Sequence, residues 1–348
     1  MVSLEELVAK AKADGASDIH LIRGLPPKYR RDGNIADMGG EALTAEDCFA
    51  VARYLAGVEF ERFERTGELD GADTFAGNRC RIHLFMQQGV PSLALRLLRE
   101  EIPVLEKLNL PTAVAPLVDL HKGIVLVTGE TGSGKSTTLA ALLDAINHRF
   151  CRHIVTLEDP VEYVYKPDKC IINQREVGKD TESFAAGLRA SLREDPDVIL
   201  IGEMRDQETI ETAITAAETG HLVFGTLHTG SASDAVDRIV QVFPEGAQQQ
   251  IRLQLSMTLQ AVLTQQLVPK KTGGRALAAE LMLVTDAIRN LIRSGNTPQI
   301  ANAVATSAAI GGQTMDQALV KLVRSGQISR DTALHYAHDA DYVKKNAI

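Results

Sequence analysis

A chain of 348 residues has room for two domains, and 45% hydrophobic against 24% charged residues is an ordinary balance for a globular protein. With 45 acidic against 37 basic side chains the net charge is −8, which weighs against non-specific nucleic-acid binding, since that depends on neutralising phosphates. Trp is absent and aromatics make up 4%, so the cores must be mainly aliphatic. The cysteines, Cys48, Cys80, Cys151 and Cys170, are scattered without a C-x-x-C pair, a pattern that suggests neither a zinc ribbon nor a disulfide framework. No apolar run approaches the ~18 residues that span a bilayer, and MVSLEELVAKAKADG reads as an amphipathic helix rather than a signal peptide. The expectation is a soluble, cytoplasmic protein.

In chain order, SLEELVAKAKADGASD predicts a helix ending at Gly15. IHLIRGLPPKYRRDGNI predicts strand, Pro-containing turn, strand and an Asp-Gly turn. A helix near Ala45–Ala56 and strands around Gly71–Phe75 and Asn78–Phe85 complete an α+β unit. The stretch EIPVLEKLNLPTAVAPLVD contains Pro103, Pro111 and Pro116 and reads as a linker with a short helix, so domains are expected at 1–105, 106–285 and 286–348. From Gly123 short apolar strands alternate with helical patterns, which predicts a parallel α/β sheet. Beyond about residue 285 the pattern is helical, with a capping box at Thr314–Gln317.

The stretch GETGSGKSTT, Gly129 to Thr138, contains G-x-x-x-x-G-K-[ST], and its context gives the match weight. GIVLVT ahead of it is a strand candidate, and STTLAALLDAINHRF behind it carries apolar residues at helical spacing. Gly129, Gly132 and Gly134 let the backbone turn its N–H groups onto phosphate oxygens at a helix start. Lys135 supplies a point charge and Ser136 a hydroxyl ligand for Mg²⁺, while Glu130, Thr131, Ser133 and Thr137 complete the cradle.

Three later stretches share one form, an apolar strand that stops at a polar residue. HIVTLE runs into Glu158, Asp159 and Glu162; DVILIGE stops at Glu203; HLVFGTLH runs from His221 to His228. If they lie parallel to GIVLVT, each delivers its terminal side chain to the edge where the loop holds phosphate, because ligands sit outside the carboxyl ends of parallel strands. Glu203 is placed to orient or deprotonate the attacking water. Glu158, Asp159 and Glu162 form a second acidic cluster suited to Mg²⁺ held through water or to positioning the nucleophile. His228 is placed to hydrogen-bond the γ-phosphate; His221, at the start of its strand, lies farther off, and a structural role competes for both histidines.

The combination of GETGSGKSTT, TLEDPVEYV, LREDPDVILIGEMRD and AAETGHLVFGTLHT resembles the secretion-superfamily ATPases of type IV pilus and type II secretion machines. GASDIHLIRGLPPKYRRDG resembles the opening segment of that family, and AIRNLIRSGN and GGQTMDQAL are similar to C-terminal segments of its PilT-type retraction ATPases. The tetracysteine zinc module and longer N-terminal region of assembly-type relatives have no counterpart here, and Glu130 stands where retraction ATPases usually have Pro.

The resemblance implies an N-terminal PAS-like domain followed by a RecA-like P-loop domain with a helical C-terminal subdomain. It also implies ATP and Mg²⁺ as ligands, a homohexameric ring, and a place at the inner face of the cytoplasmic membrane through a pilus platform protein. It further implies arginines of the N-terminal domain approaching the nucleotide, and Arg81 and Arg96 are the matching positions. The function it implies is pilus retraction, hence twitching motility. The alternatives are an assembly or type II secretion ATPase, an accessory retraction paralogue, a DNA translocase, and an ATP-binder that does not hydrolyse.

Overall fold

The computed structural model describes residues 3–31, 33–98 and 101–347, which form two compact units. The first runs to Glu101 and takes in Pro160–Val164; the second comprises Ile102–Asp159 and the chain from Tyr165 onward.

The first unit contains α1 (Leu4–Ala13), β1 (Asp18–Leu21), β2 (Lys28–Arg31), β3 (Asn34–Asp37), α2 (Ala45–Ala56), α3 (Phe60–Thr66), β4 (Glu68–Phe75), β5 (Asn78–Gln87) and β6 (Val90–Leu97). Its strands lie in the order β3-β2-β1-β6-β5-β4 and every pairing is antiparallel. The helices start where sequence chemistry places caps: Ser3 Oγ accepts from the Glu6 amide, and Thr44 with Asp47 forms a reciprocal capping box. Along β5 the side chains alternate, with Cys80, Ile82 and Leu84 inward against Val8, Phe63 and Leu95, and Arg79, Arg81 and His83 outward. The sequence reading misses α3 and β6. Strand β6 is buried at its first four positions in a row and begins Val-Pro, so it lacks both the alternation and the proline-free run that mark a strand.

The second unit opens with two 3₁₀ turns, Leu105–Leu108 and Thr112–Asp119, where the sequence predicts a linker and a short helix. Then follow β7 (Gly123–Thr128), α4 (Lys135–Arg149), β8 (His153–Glu158), β9 (Ile171–Glu176), α5 (Phe184–Ser191), β10 (Val198–Ile201), α6 (Gln207–Glu218) and β11 (Leu222–Leu227). After these come α7 (Ala232–Gln241), α8 (Glu245–Thr258), β12 (Leu259–Pro269), β13 (Arg275–Leu283), α9 (Asp286–Ser294), α10 (Ile300–Ala305), α11 (Met315–Arg324), α12 (Arg330–Tyr336) and α13 (Ala340–Asn346).

The sheet order is β13-β12-β7-β11-β10-β8-β9. Strands β12, β7, β11, β10, β8 and β9 run parallel, and β13 returns antiparallel against β12. Strands β7, β10 and β11 are buried at every position, because helices cover both faces of a parallel sheet, and this is why they read as unbroken apolar runs. The β12–β13 hairpin breaks the predicted purely parallel pattern; its polar interior residues, such as Gln265, Gln266 and Glu280, blur the strand signal. The Thr314–Gln317 capping box is present at the start of α11.

Candidate functional site

Register decides where the site is. Thr128 pairs with Leu227, Gly225 with Ile201 and Ile201 with Leu157, so β7, β11, β10 and β8 end at the same edge. The chain leaves that edge as Gly129, His228, Gly202–Glu203 and Glu158 respectively. Strand β10 stops at Ile201, two residues before Glu203, which frees this carboxylate to leave the sheet plane.

The Gly-rich loop is held by the strand beside it. At Gly129, with φ +135°, a Cβ would lie 2.3 Å from the Gln265 carbonyl oxygen and 2.7 Å from Ser133 Oγ, so only glycine passes between them. Gly134, at φ +98°, is the N-cap of α4, and the amides of that helix's first turn have no intrahelical acceptor. Lys135 Nζ donates to the carbonyls of Gly129 (2.7 Å) and Glu130 (2.9 Å), tying the lysine to the loop that precedes it. Beneath the loop, Gln265 Nε2 donates to Thr138 Oγ1 (2.8 Å) and the hydroxyls of Thr128 and Thr264 meet at 2.8 Å. Ser133 Oγ in this loop, and Thr229 Oγ1 in the loop after β11, are buried hydroxyls with no hydrogen-bond partner among the described residues, which fits a polar ligand at this edge. Glu130 is exposed, so the departure from Pro at that position places its charge toward solvent rather than in the core.

Glu203 and His228 meet. Glu203 Oε1 lies 3.1 Å from His228 Nε2 and also pairs with Arg205 Nε, and only 19% of the Glu203 side chain is exposed. Backbone bonds fix the carboxylate from both sides: the Gly202 amide donates to the Leu157 carbonyl (2.8 Å) and the Met204 amide to the Thr226 carbonyl (3.2 Å). A Cβ at Gly202 would sit 3.0 Å from the Leu157 carbonyl oxygen, so a side chain there would crowd the strand end. Burial, and then the positive charge of Lys135, hold the His228 imidazole below its ordinary pKa, with the nearby Glu203 pulling the other way. The loop lysine, the carboxylate and the imidazole thus belong to one electrostatic neighbourhood, as the parallel-strand argument requires.

A strand, a glycine loop and a helix N-terminus in this order form a phosphate-binding unit, and here a carboxylate and an imidazole stand at the adjoining strand ends. Residues 90–334 match the family described as type II/IV secretion system protein. The chain belongs to that family. Within it, the chain is 44% identical to the type IV pilus retraction ATPase PilT of Pseudomonas aeruginosa, over 95% of this chain and 97% of that one. It is 36% identical to the type IV pilus ATPase PilU of the same organism, over 98% of this chain and 90% of that one. A crystal structure of the pilus retraction motor PilT with bound ADP superposes with a TM-score of 0.93 at 45% identity, covering 99% of this chain and 100% of that one. The mixed α/β architecture, an N-terminal domain followed by a RecA-like ATPase domain, is that of this family.

The remaining residues singled out from the sequence are distributed unevenly. Glu158 is at the common edge, its Oε1 accepting from Thr156 Oγ1 (2.6 Å) and Gln174 Nε2 (3.2 Å), while Asp159 beside it is exposed. Glu162 falls in Pro160–Val164, the segment that joins the first unit, where the Val161 carbonyl accepts from Arg79 Nε at 3.4 Å. Among the described residues no three His, Cys, Asp or Glu side chains form a metal-holding group.

His221 requires a correction. It precedes β11 at the amino end of the strand, at the opposite edge from the Gly-rich loop, and its Nδ1 lies 2.9 Å from the Ala216 carbonyl and 3.3 Å from Thr219 Oγ1. Some 20 Å of strand separate it from His228, so within one subunit it secures the turn from α6 into β11 and does not reach the phosphate edge. Arg81 and Arg96 face each other in register on β5 and β6, both exposed, with Arg96 Nε donating to Asp18 Oδ1 at 2.7 Å. Sequence reasoning missed Arg205, Gln265, Thr264 and Thr138. The polar pair Gln265–Gln266 inside the apolar run AVLTQQLV was the available signal, since buried amides must be used for something.

Proposed function

We propose that this chain is an ATP hydrolase and the motor of type IV pilus retraction. The observation that carries the proposal is the contact between Glu203 and His228 at the strand edge that also carries Lys135. Gly129, Glu130, Thr131, Gly132, Ser133 and Gly134 wrap the phosphates with backbone amides, Lys135 offsets their charge, and Thr137 closes the first turn of the helix. Glu203 orients the attacking water and accepts its proton. His228 hydrogen-bonds the γ-phosphate and so registers its loss. Ser136, Glu158, Asp159 and Glu203 are the groups suited to Mg²⁺, whose contribution is to neutralise phosphate charge. Glu162 stands by as a further acid, and Arg81 and Arg96 bring guanidinium charge to the nucleotide from the N-terminal domain. His221, on its geometry, is left out of the chemistry.

In this reading residues 1–105 are the PAS-like N-terminal domain, 106–285 the RecA-like ATPase core and 286–348 the helical C-terminal region, whose AIRNLIR stretch is needed to turn hydrolysis into retraction. Six copies form a ring at the cytoplasmic face of the inner membrane, acting on a pilus platform protein and not on nucleic acid. Loss of the γ-phosphate releases contacts that hold the subunit in one conformation, and repeated release around the ring drives retraction. A second reading keeps the type IV pilus but not the principal retraction role, with this chain as an accessory paralogue, because it is also 36% identical over 98% of its length to a protein named only as a type IV pilus ATPase.

Glu203→Gln tests the proposal. It keeps the shape and removes the base, so phosphate release should fall by about a hundredfold or more, while binding of a fluorescent ATP analogue stays within a few-fold. Unchanged turnover refutes the assignment. A deletion strain then separates the cellular readings: abundant but immobile pili mean retraction, and absent pili mean assembly.

A further inference from the structure

Strand β13 carries a carboxylate that no step above uses. Glu280 is 7% exposed, and each of its oxygens accepts from the first amide of a different helix: Oε1 from Ala232 of α7 (2.7 Å), Oε2 from Met315 of α11 (3.3 Å). The two helices belong to different parts of the molecule. Helix α7 begins directly after His228-Thr229-Gly230-Ser231, with Ser231 as its N-cap; α11 begins the terminal helices, with Thr314 as its N-cap.

The neighbours of Glu280 on β13 reinforce the second link. Leu281 exchanges backbone bonds with Gln313 (2.8 and 3.1 Å), and Gln313 Nε2 donates to the Ala279 carbonyl (2.8 Å). Helix α7 is also tied farther along, where Thr297 Oγ1 donates to both oxygens of Asp237 (2.8 and 2.9 Å). A negative charge at the positive ends of two helices is favourable for both, and bonds from two amides are what make a buried carboxylate tolerable there. Burial raises its pKa, and the Ala232 and Met315 amides act in the opposite sense.

We infer that Glu280 is a positioning residue: it fixes the His228-bearing loop to the terminal helices, so that movement of the imidazole with the γ-phosphate is passed to α11 through one side chain. The inference rests on the proposed role of His228. A glutamine at 280 has the same volume but must turn its NH₂ toward one of the two amides, breaking one link; an aspartate keeps the charge but is one methylene too short to reach both.

The experiment is steady-state ATP hydrolysis by the full-length oligomer for Glu280→Gln, Glu280→Asp, His228→Ala and the Glu280–His228 double variants. Glu280→Gln should lower kcat by about tenfold with KM for ATP within about twofold, and the double variant should fall no more than about twofold below His228→Ala alone. Where Glu280→Gln does not fold, Glu280→Asp serves, with a smaller loss of kcat and the same failure of the effects to multiply. Effects that multiply, a change confined to KM, or an unchanged kcat in the folded variants overturns the inference and leaves the site reading intact. Wild-type hydrolysis by His228→Ala overturns the site reading itself, and this inference with it.

Discussion

His228 is the residue where the electrostatics of the site are most exposed to measurement. Burial and the Lys135 charge hold its pKa below the ordinary 6.5, so the ring is neutral near pH 7. Protonation converts its 3.1 Å approach to Glu203 into an ion pair, which occupies the carboxylate that should hold the attacking water. The kcat/KM for ATP, which reports the free enzyme, should therefore decline as pH falls below 6.5, and His228→Asn should flatten that acid limb while lowering the plateau. The stability sign follows from the same shift. A depressed histidine pKa means that the unfolded chain binds protons more readily between the folded pKa and 6.5, so the native state weakens as pH falls through that window. Urea unfolding on either side of pH 6.5 should show a smaller acid loss for His228→Asn than for the parent protein. An acid limb identical in the two proteins would assign the titration to another group.

At the scale of elements, the Gly-rich loop is not self-supporting. It lies on β12, whose Gln265 carbonyl leaves no room for a side chain at Gly129, and whose Thr264 and Gln265 side chains bond the hydroxyls of Thr128 and Thr138. Gly129→Ala should thus destabilise the ATPase domain by about 2 kcal/mol or more, combining a positive φ with a backbone collision. Thermal unfolding reads the loss, and nucleotide binding should weaken with it; a variant as stable as the parent contradicts this account of the loop. The elements legible beforehand were those whose burial is simple. GIVLVT, HIVTLE and HLVFGTLH announce themselves because both faces are covered. Strand β6 and the β12–β13 hairpin did not, since one is apolar without alternation and the other buries Gln265 and Glu280 for reasons that lie in distant helices.

At the scale of the whole molecule, the proposed unit is a ring of six copies. If the proposed ring forms, sedimentation in the presence of ATP should show a particle about six times 37.7 kDa, and a stable monomer under those conditions contradicts it. The charge of −8 argues that neither single- nor double-stranded DNA will stimulate hydrolysis at physiological salt. Stimulation that vanishes steeply with added salt would reopen the translocase reading. Among the described residues no helix is long and apolar enough to cross a membrane.

What the sequence determined by itself was the chemistry: a phosphate loop between a strand and a helix, and polar residues at the ends of later strands. These are local facts, carried by spacing and residue type. What only the tertiary structure decided was which of those residues meet. Strand register brought Glu203 and His228 to 3.1 Å and sent His221 to the far edge, while Glu162 falls in a loop segment that belongs to the first unit. It also placed Glu280 between the first residues of two helices, Ala232 and Met315, which are more than eighty positions apart in the chain. The reason is that residue spacing along a strand fixes direction but not pairing; pairing comes from which apolar faces bury one another, and that is settled only when the whole sheet has formed.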